Sequence, residues 1–386
     1  MRNFGPNWYA SVMGTGIVAT SAATLPYAAP ALRPFAVAAW LLAAGALLAV
    51  TAAFLTSRHH HRTAHPTAPG PGGAPDHATA QFYGAPPMAL LTVGAGALLL
   101  GRDLLGPHLA LAVDAVLWTL GTLLGLASAV AVPYRMMSRP GHAPEAASPT
   151  WLLPVVAPMV SASTGALLVP HLPAGQPRLD LLLACYALFG VSLLATLAIL
   201  PQVWGRLVRQ PLALAAVPTV WIVLGPLGQS VTAANLLGDA AHTATDGTTS
   251  RALELFGLVY GVPVLGFALV WIAIAGLLTA RAARAGLPFT MTWWSFTFPV
   301  GTCVTAATGL AHRTGSQAFA GLAVGLFVAL VTAWAVVATR TLRSLVTGGR
   351  LAPAPTPASR TVDLPGQAGP ATEDAIVDDR LAVARR

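Results

Sequence analysis

Lysine is absent from the whole chain; all 21 basic residues are arginine, and only 13 acids accompany them. Charged residues make up 9% of the 386 positions, against roughly 25% in soluble domains, while 55% are hydrophobic. With a mean hydropathy of +0.68, this composition describes a polytopic membrane protein. Cysteine is equally scarce. Cys185 and Cys303 both fall within apolar stretches, which excludes a disulfide framework or a zinc site and leaves them as small core residues. No nucleophile–base pair, phosphate-binding loop or metal-ligand spacing is found, so neither an enzyme nor a bound cofactor is expected. The lack of lysine is read as genome composition. The net charge of +8 does not require nucleic acid, because the arginines lie between apolar stretches, where they orient the chain in a lipid bilayer.

Those stretches are what the sequence has in abundance. A spanning helix needs about 20 mainly apolar residues, and ten stretches qualify: 7–26, 34–56, 82–100, 109–132, 151–170, 179–200, 212–238, 252–280, 290–311 and 316–339. The first is read as a span and not as a cleaved leader. Arg2, Arg58, Arg62, Arg135, Arg139, Arg206, Arg209, Arg281, Arg284, Arg340, Arg343 and Arg350 fall on one side, and Arg33, Arg102, Arg178, Arg251 and Arg313 on the other. The heavier side is expected to be cytoplasmic, with both termini, in a multi-pass protein of the cell (plasma) membrane.

The odd-numbered spans carry most of the helix interrupters and the polar side chains. Gly14, Gly16, Pro87, Pro158, Pro226 and Pro299 are expected to be the kinks, and Thr15, Ser161, Thr164, Ser230, Thr302 and Thr305 to line a passage. Even spans are smoother, and three hold small pairs suited to close helix packing: Gly121 with Gly125, Gly257 with Gly261, and Gly321 with Gly325. Pro263 in the eighth is an exception. The expected fold is therefore all-α, with ten transmembrane helices as five helical hairpins around a central pore, odd helices inside and even helices outside. Residues 1–345 form this pore domain, and 346–386, rich in Pro, Ala and acids, form a disordered cytoplasmic tail. Chance parity of glycine and proline is the competing reading.

The ninth span, TMTWWSFTFPVGTCVTAATGLA, is central. Pro299 lacks an N–H, so the rod must bend or break there, and in lipid such a break is tolerated where it is buried or borders a cavity. Thr302, Thr305 and Thr308 recur on one face, beside Phe296 and Phe298. A bent helix packed in a bundle, with its threonines bonded to their own backbone, is the plainer alternative.

No Asp, Glu, Arg or His lies within an odd span as drawn. Such an axis offers hydroxyls, freed backbone groups and the positive ends of restarted helices, a set suited to weak anion binding. Asp114 in the fourth span is the deepest acid; it is read as snorkelling or pairing with Arg102 near the interface, with a proton site as the alternative. Five of the ten histidines gather in the Pro/Gly-rich connector 57–81, read as a solvated linker with a metal tract or pH sensor as the alternative.

The strings PNWYASVMGTGIVATSAATLP, WLLPVVAPMVSASTGALLVP, PTVWIVLGPLGQSVTAANLLG and PFTMTWWSFTFPVGTCVTAA, in this order, resemble the tellurite-resistance/dicarboxylate transporter (TDT) family, related to plant slow anion channels. The resemblance runs over about residues 4–345. It implies a homotrimer in which each subunit has its own pore, lined by five odd helices and closed by a phenylalanine at the kink of the ninth. Phe298 best matches that gate, and Phe296 is second. The family passes or carries small anions, chloride, nitrate, sulfite and C4-dicarboxylates among them. The leading expectation is an anion channel or channel-like transporter; a proton-coupled carrier or exporter of C4-dicarboxylates or sulfite is the alternative, and a flux-less membrane scaffold a more distant one.

Overall fold

A computed structural model describes residues 4–27, 29–64, 80–138 and 147–347. The core of the His-rich connector and the tail from 348 lie outside the described residues. Among these, the chain forms helices and no strand. The principal ones are α1 (Tyr9–Thr24), α2 (Leu32–Ala64), α3 (Ala85–Leu100), α4 (Pro107–Met137), α5 (Leu152–Leu168), α6 (Gln176–Arg209), α7 (Leu224–Ala244), α8 (Gly247–Arg284), α9 (Phe298–Thr314) and α10 (Gln317–Val346). Eight helical segments are long and apolar enough to cross a membrane. The segments of α1 and α9 are not among these eight.

Each odd helix packs against the even helix that follows it, and the odd helices also pack in sequence, with α9 returning to α1 to close a ring. Burial follows the same division. In the most apolar stretch of the α5 segment 94% of residues are buried, but only 22% in that of α4, whose Leu120, Leu123 and Val130 face outward. Helices that are apolar all round are central, and those with one apolar face left bare meet lipid.

A 3₁₀ segment precedes every inner helix: Pro6–Trp8, Phe82–Gly84, Pro149–Trp151, Leu214–Val223 and Met291–Phe296. Each contains an aromatic residue. The inner helices all run the same way, as the paired levels Gly14 with Thr297 and Gly301 with Ile17, or Gly228 with Thr302 and Asn235 with Arg313, require.

The expected kinks resolve into two kinds. Pro158 alone lies inside an inner helix; its missing N–H leaves Pro154 O free, and Ser128 Oγ of α4 reaches it at 3.4 Å. Pro87, Pro226 and Pro299 instead stand in the first turns of α3, α7 and α9, where a proline costs no helical hydrogen bond, so they mark the change from 3₁₀ to α. Gly14 and Gly16 do not interrupt α1; a Cβ there would collide with Thr297 Oγ1 and Thr92 Cγ2, so they serve close approach. The smoothness expected of even helices fails too. Pro133, Pro201 and Pro263 all lie inside them, the first two because α4 and α6 run on past the apolar stretches. Gly121 and Gly257 meet α3 and α7 as small pairs should, whereas Gly321 and Gly325 have open space before them.

Outer helices are tied to inner ones by indole hydrogen bonds. Trp40 Nε1 of α2 donates to Val93 O at 3.0 Å, Trp118 Nε1 of α4 to Ser161 O at 2.9 Å, and Trp334 Nε1 of α10 to Thr15 Oγ1 at 3.1 Å. From α8, Trp271 Nε1 reaches Val220 O, before α7, at 3.0 Å. In α6 a serine does this work, Ser192 Oγ donating to Val155 O of α5. Each bond satisfies a polar group where no water competes.

Candidate functional site

The ring of inner helices encloses a cavity of about 580 Å³. All five contribute to its wall: Ile17 and Thr20 from α1, Thr92 from α3, Ser163 and Thr164 from α5, Gln229 and Thr232 from α7, Thr305 and Thr308 from α9. Phe298, 3% exposed, stands at the start of α9 and lines the cavity; His312 and Arg313 line it fourteen and fifteen residues on. At 1.5 Å per residue, these ends are about 22 Å apart along the helix.

The two candidate gate residues part company. Phe296 ends the 3₁₀ segment and does not line the cavity; its ring meets Trp221 and Trp293 edge-on, both with centroids 5.6 Å away. Thr297, with φ −102° and ψ −78°, turns the chain between the two rings.

Among the six residues expected to line a passage, Thr164 and Thr305 do. The other four face neighbours. Thr15 takes the Trp334 indole, Ser230 accepts from Tyr260 Oη at 2.9 Å, the Ser161 carbonyl accepts Trp118, and Thr302 donates toward Leu224 O and Pro299 O. Hydroxyls on the wall are mostly spent on local carbonyls: Thr92 on Met88, Thr164 on Val160, Thr305 on Thr302. Thr308 Oγ1 and Gln229 Oε1, both buried, have no hydrogen-bond partner among the described residues.

The expectation of an axis without ionisable groups is overturned at one end. α7 and α9 continue beyond the apolar stretches and bring Asp239, His312 and Arg313 to the cavity, joined by Glu254 of α8. The Arg313 side chain is 7% exposed; its Nε donates to Asn235 Oδ1 at 2.7 Å and its Nη2 to Asp239 Oδ1 at 2.7 Å, and Nη1 lies 3.1 Å from Glu254 Oε1 off the hydrogen-bond line. His242 Nε2 sits 3.4 Å from the other Glu254 oxygen. Helical hydrogen bonding does not stop where hydropathy falls, which is why the drawn spans missed this cluster.

Asp114 is not paired with Arg102. Arg102 Nη2 donates to His171 Nε2 at 2.9 Å, while Asp114 is fully buried against Gly94 of α3, away from the cavity lining, with neither oxygen bonded among the described residues. No group of three or more His, Cys, Asp or Glu able to hold a metal occurs among the described residues.

A closed ring of buried helices around an elongated cavity, sheathed by helices with bare apolar faces, defines a multi-pass membrane protein of the transport class. Residues 3–342 match the voltage-dependent anion channel (SLAC1) family, and the chain belongs to that family. It is 27% identical to the sulfite efflux pump SSU1 of Arthroderma otae over 87% of this chain and 89% of the relative, and also 27% identical, with the same shares, to that of Trichophyton rubrum. An uncharacterized transporter of Methanocaldococcus jannaschii is 26% identical over 90% of this chain and 95% of its own length.

Proposed function

We propose that the chain passes small anions through the cavity, as a channel or channel-like transporter gated by Phe298. The observation that carries this reading is the position of that one ring: it lines the cavity where α9 begins, at the end opposite Arg313. An apolar ring in a narrow passage excludes water and, with it, ions. Beyond it the wall is neutral and hydroxyl-rich up to the Arg313 cluster. In this reading all ten helices cross the bilayer as five hairpins, α1 and α9 being completed by their 3₁₀ leads, and the two termini are cytoplasmic in the plasma membrane. The functional unit is a homotrimer with one passage per subunit.

Export of sulfite by a proton-coupled mechanism is the second reading, favoured by the names of the fungal relatives; C4-dicarboxylates stay with it as cargo of the wider family. Electrical recording of the purified chain in planar bilayers, with chloride, nitrate and sulfite and with and without a pH gradient, separates the two. Ion-selective chloride and nitrate current indifferent to the gradient is expected. Small, saturable, gradient-driven flux would replace the channel with the carrier.

A further inference from the structure

Gln229 is 4% exposed, lines the cavity from α7, and has only part of its amide engaged by the protein. Its Nε2 donates to Ser163 Oγ, and that hydroxyl gives its own proton to Val160 O at 2.9 Å. With the Ser163 proton on Val160 O, the hydroxyl accepts from the amide, and Nε2 is the end of Gln229 that faces it. Oε1 is then the free end. It is buried without a partner among the described residues, an arrangement that folded chains rarely leave unused. Nε2 keeps a second N–H, so the amide offers an acceptor and a donor side by side within a dry wall.

We propose that Gln229 is the recognition point for an oxyanion that carries its own hydroxyl, a singly protonated acid such as hydrogen sulfite. The ligand donates its O–H to Oε1 and accepts from Nε2 with a charged oxygen. A halide has no proton to give and leaves Oε1 unpaired. A fully deprotonated oxyanion sets lone pairs against lone pairs. Sites built to pair a hydroxyl discriminate strongly against ions that lack one. The proposal rests on the anion-transport reading above and deepens it by naming the protonation state of the cargo.

The test uses the full chain in liposomes, with sulfite and chloride flux measured across the pH range over which hydrogen sulfite loses its proton. Wild-type sulfite flux is expected to fall as pH rises, in step with the hydrogen sulfite fraction, while chloride flux stays level. Gln229→Met keeps the side-chain length and removes both polar ends; it is expected to weaken half-saturation for sulfite about tenfold and leave that for chloride unchanged. Equal change for both ions, or none for sulfite, overturns the proposal. Should that variant not fold, Ser163→Ala, which releases the amide without removing it, is expected to give a smaller loss confined to sulfite, and a loss shared with chloride counts against the site. Absence of any wild-type flux overturns the transport reading itself, and is thereby distinguishable from failure at Gln229 alone.

Discussion

Arg313 Nη2 on the last turn of α9 lies 2.7 Å from Asp239 Oδ1 on α7, and the same nitrogen donates to the Asn235 carbonyl at 2.9 Å. One guanidinium thus joins the far ends of two inner helices. Replacing Arg313 by Ala strips the buried Asn235 Oδ1 of its donor, which costs about 1–3 kcal/mol for a buried polar atom. The exposed carboxylates add little to that. A melting temperature several degrees lower in detergent is expected, with Arg313→Lys recovering part of it; an unchanged value would show the cluster to be decorative.

Phe298 and Phe296 predict opposite outcomes. Phe298→Ala is expected to raise anion conductance several-fold in bilayers, because the ring stands in the cavity. Phe296→Ala removes two edge-on ring contacts worth about 0.5–1.5 kcal/mol each beyond area and should lower stability without opening the passage. Current from the second variant matching the first would reassign the gate.

The Trp118 indole holds α4 to α5 through Ser161 O. Trp118→Phe keeps most of the ring and loses the bond, at a cost of about 1 kcal/mol. Urea or thermal titration of the two proteins side by side checks it, and identical midpoints would remove this tie from the account.

Asp114 divides the two transport readings. It faces Gly94 and not the cavity, so Asp114→Asn should leave current and its pH dependence as they are. Loss of gradient-driven flux in that variant would instead mark Asp114 as the proton site of a carrier.

At the start of α8, Asp246 Oδ1 accepts from the backbone N–H of Thr248 and Thr249 at 2.9 and 2.8 Å. The backbone and side-chain hydrogen bonds of Thr249 hold its carboxyl below the ordinary aspartate range. A folded value below the unfolded one means the cap is fully present above the unfolded pKa, about 4 for aspartate, and is lost as pH falls through the folded value. Amide exchange at residues 248–250 should therefore be flat from pH 7 down to that region after correction for intrinsic rates, then quicken. Asp246→Ala should show the quick rate throughout.

Much of this architecture was legible in residue order. Glycine and proline are denser in the alternate stretches that became inner helices, which need close approach and abrupt starts, while the outer stretches, Pro263 apart, run mainly in Leu, Ala and Val facing lipid. The resemblance ranked Phe298 ahead of Phe296, but spacing alone did not show that only the first lines the cavity, since that depends on the backbone turn at Thr297, which no periodicity encodes. Nor were Arg313 and Asp239, which sit where hydropathy has fallen but the helix has not ended. Most threonines turned inward to their own carbonyls, and sequence spacing alone does not tell a spent hydroxyl from a free one. Gln229 was visible as a polar residue among apolar ones, yet its half-used amide depends on Ser163 from another helix.

The five inner helices, each led in by a 3₁₀ segment with an aromatic residue, all point one way, so their partial positive ends gather at the aromatic end and their negative ends at the opposite end. Along most of the cavity wall no hairpin partner cancels this, because the antiparallel members, Glu254 of α8 apart, lie a layer further out. The passage is thus polarised along its length, and identical solutions on both sides do not make its two directions equivalent: current plotted against voltage should bend, not run straight.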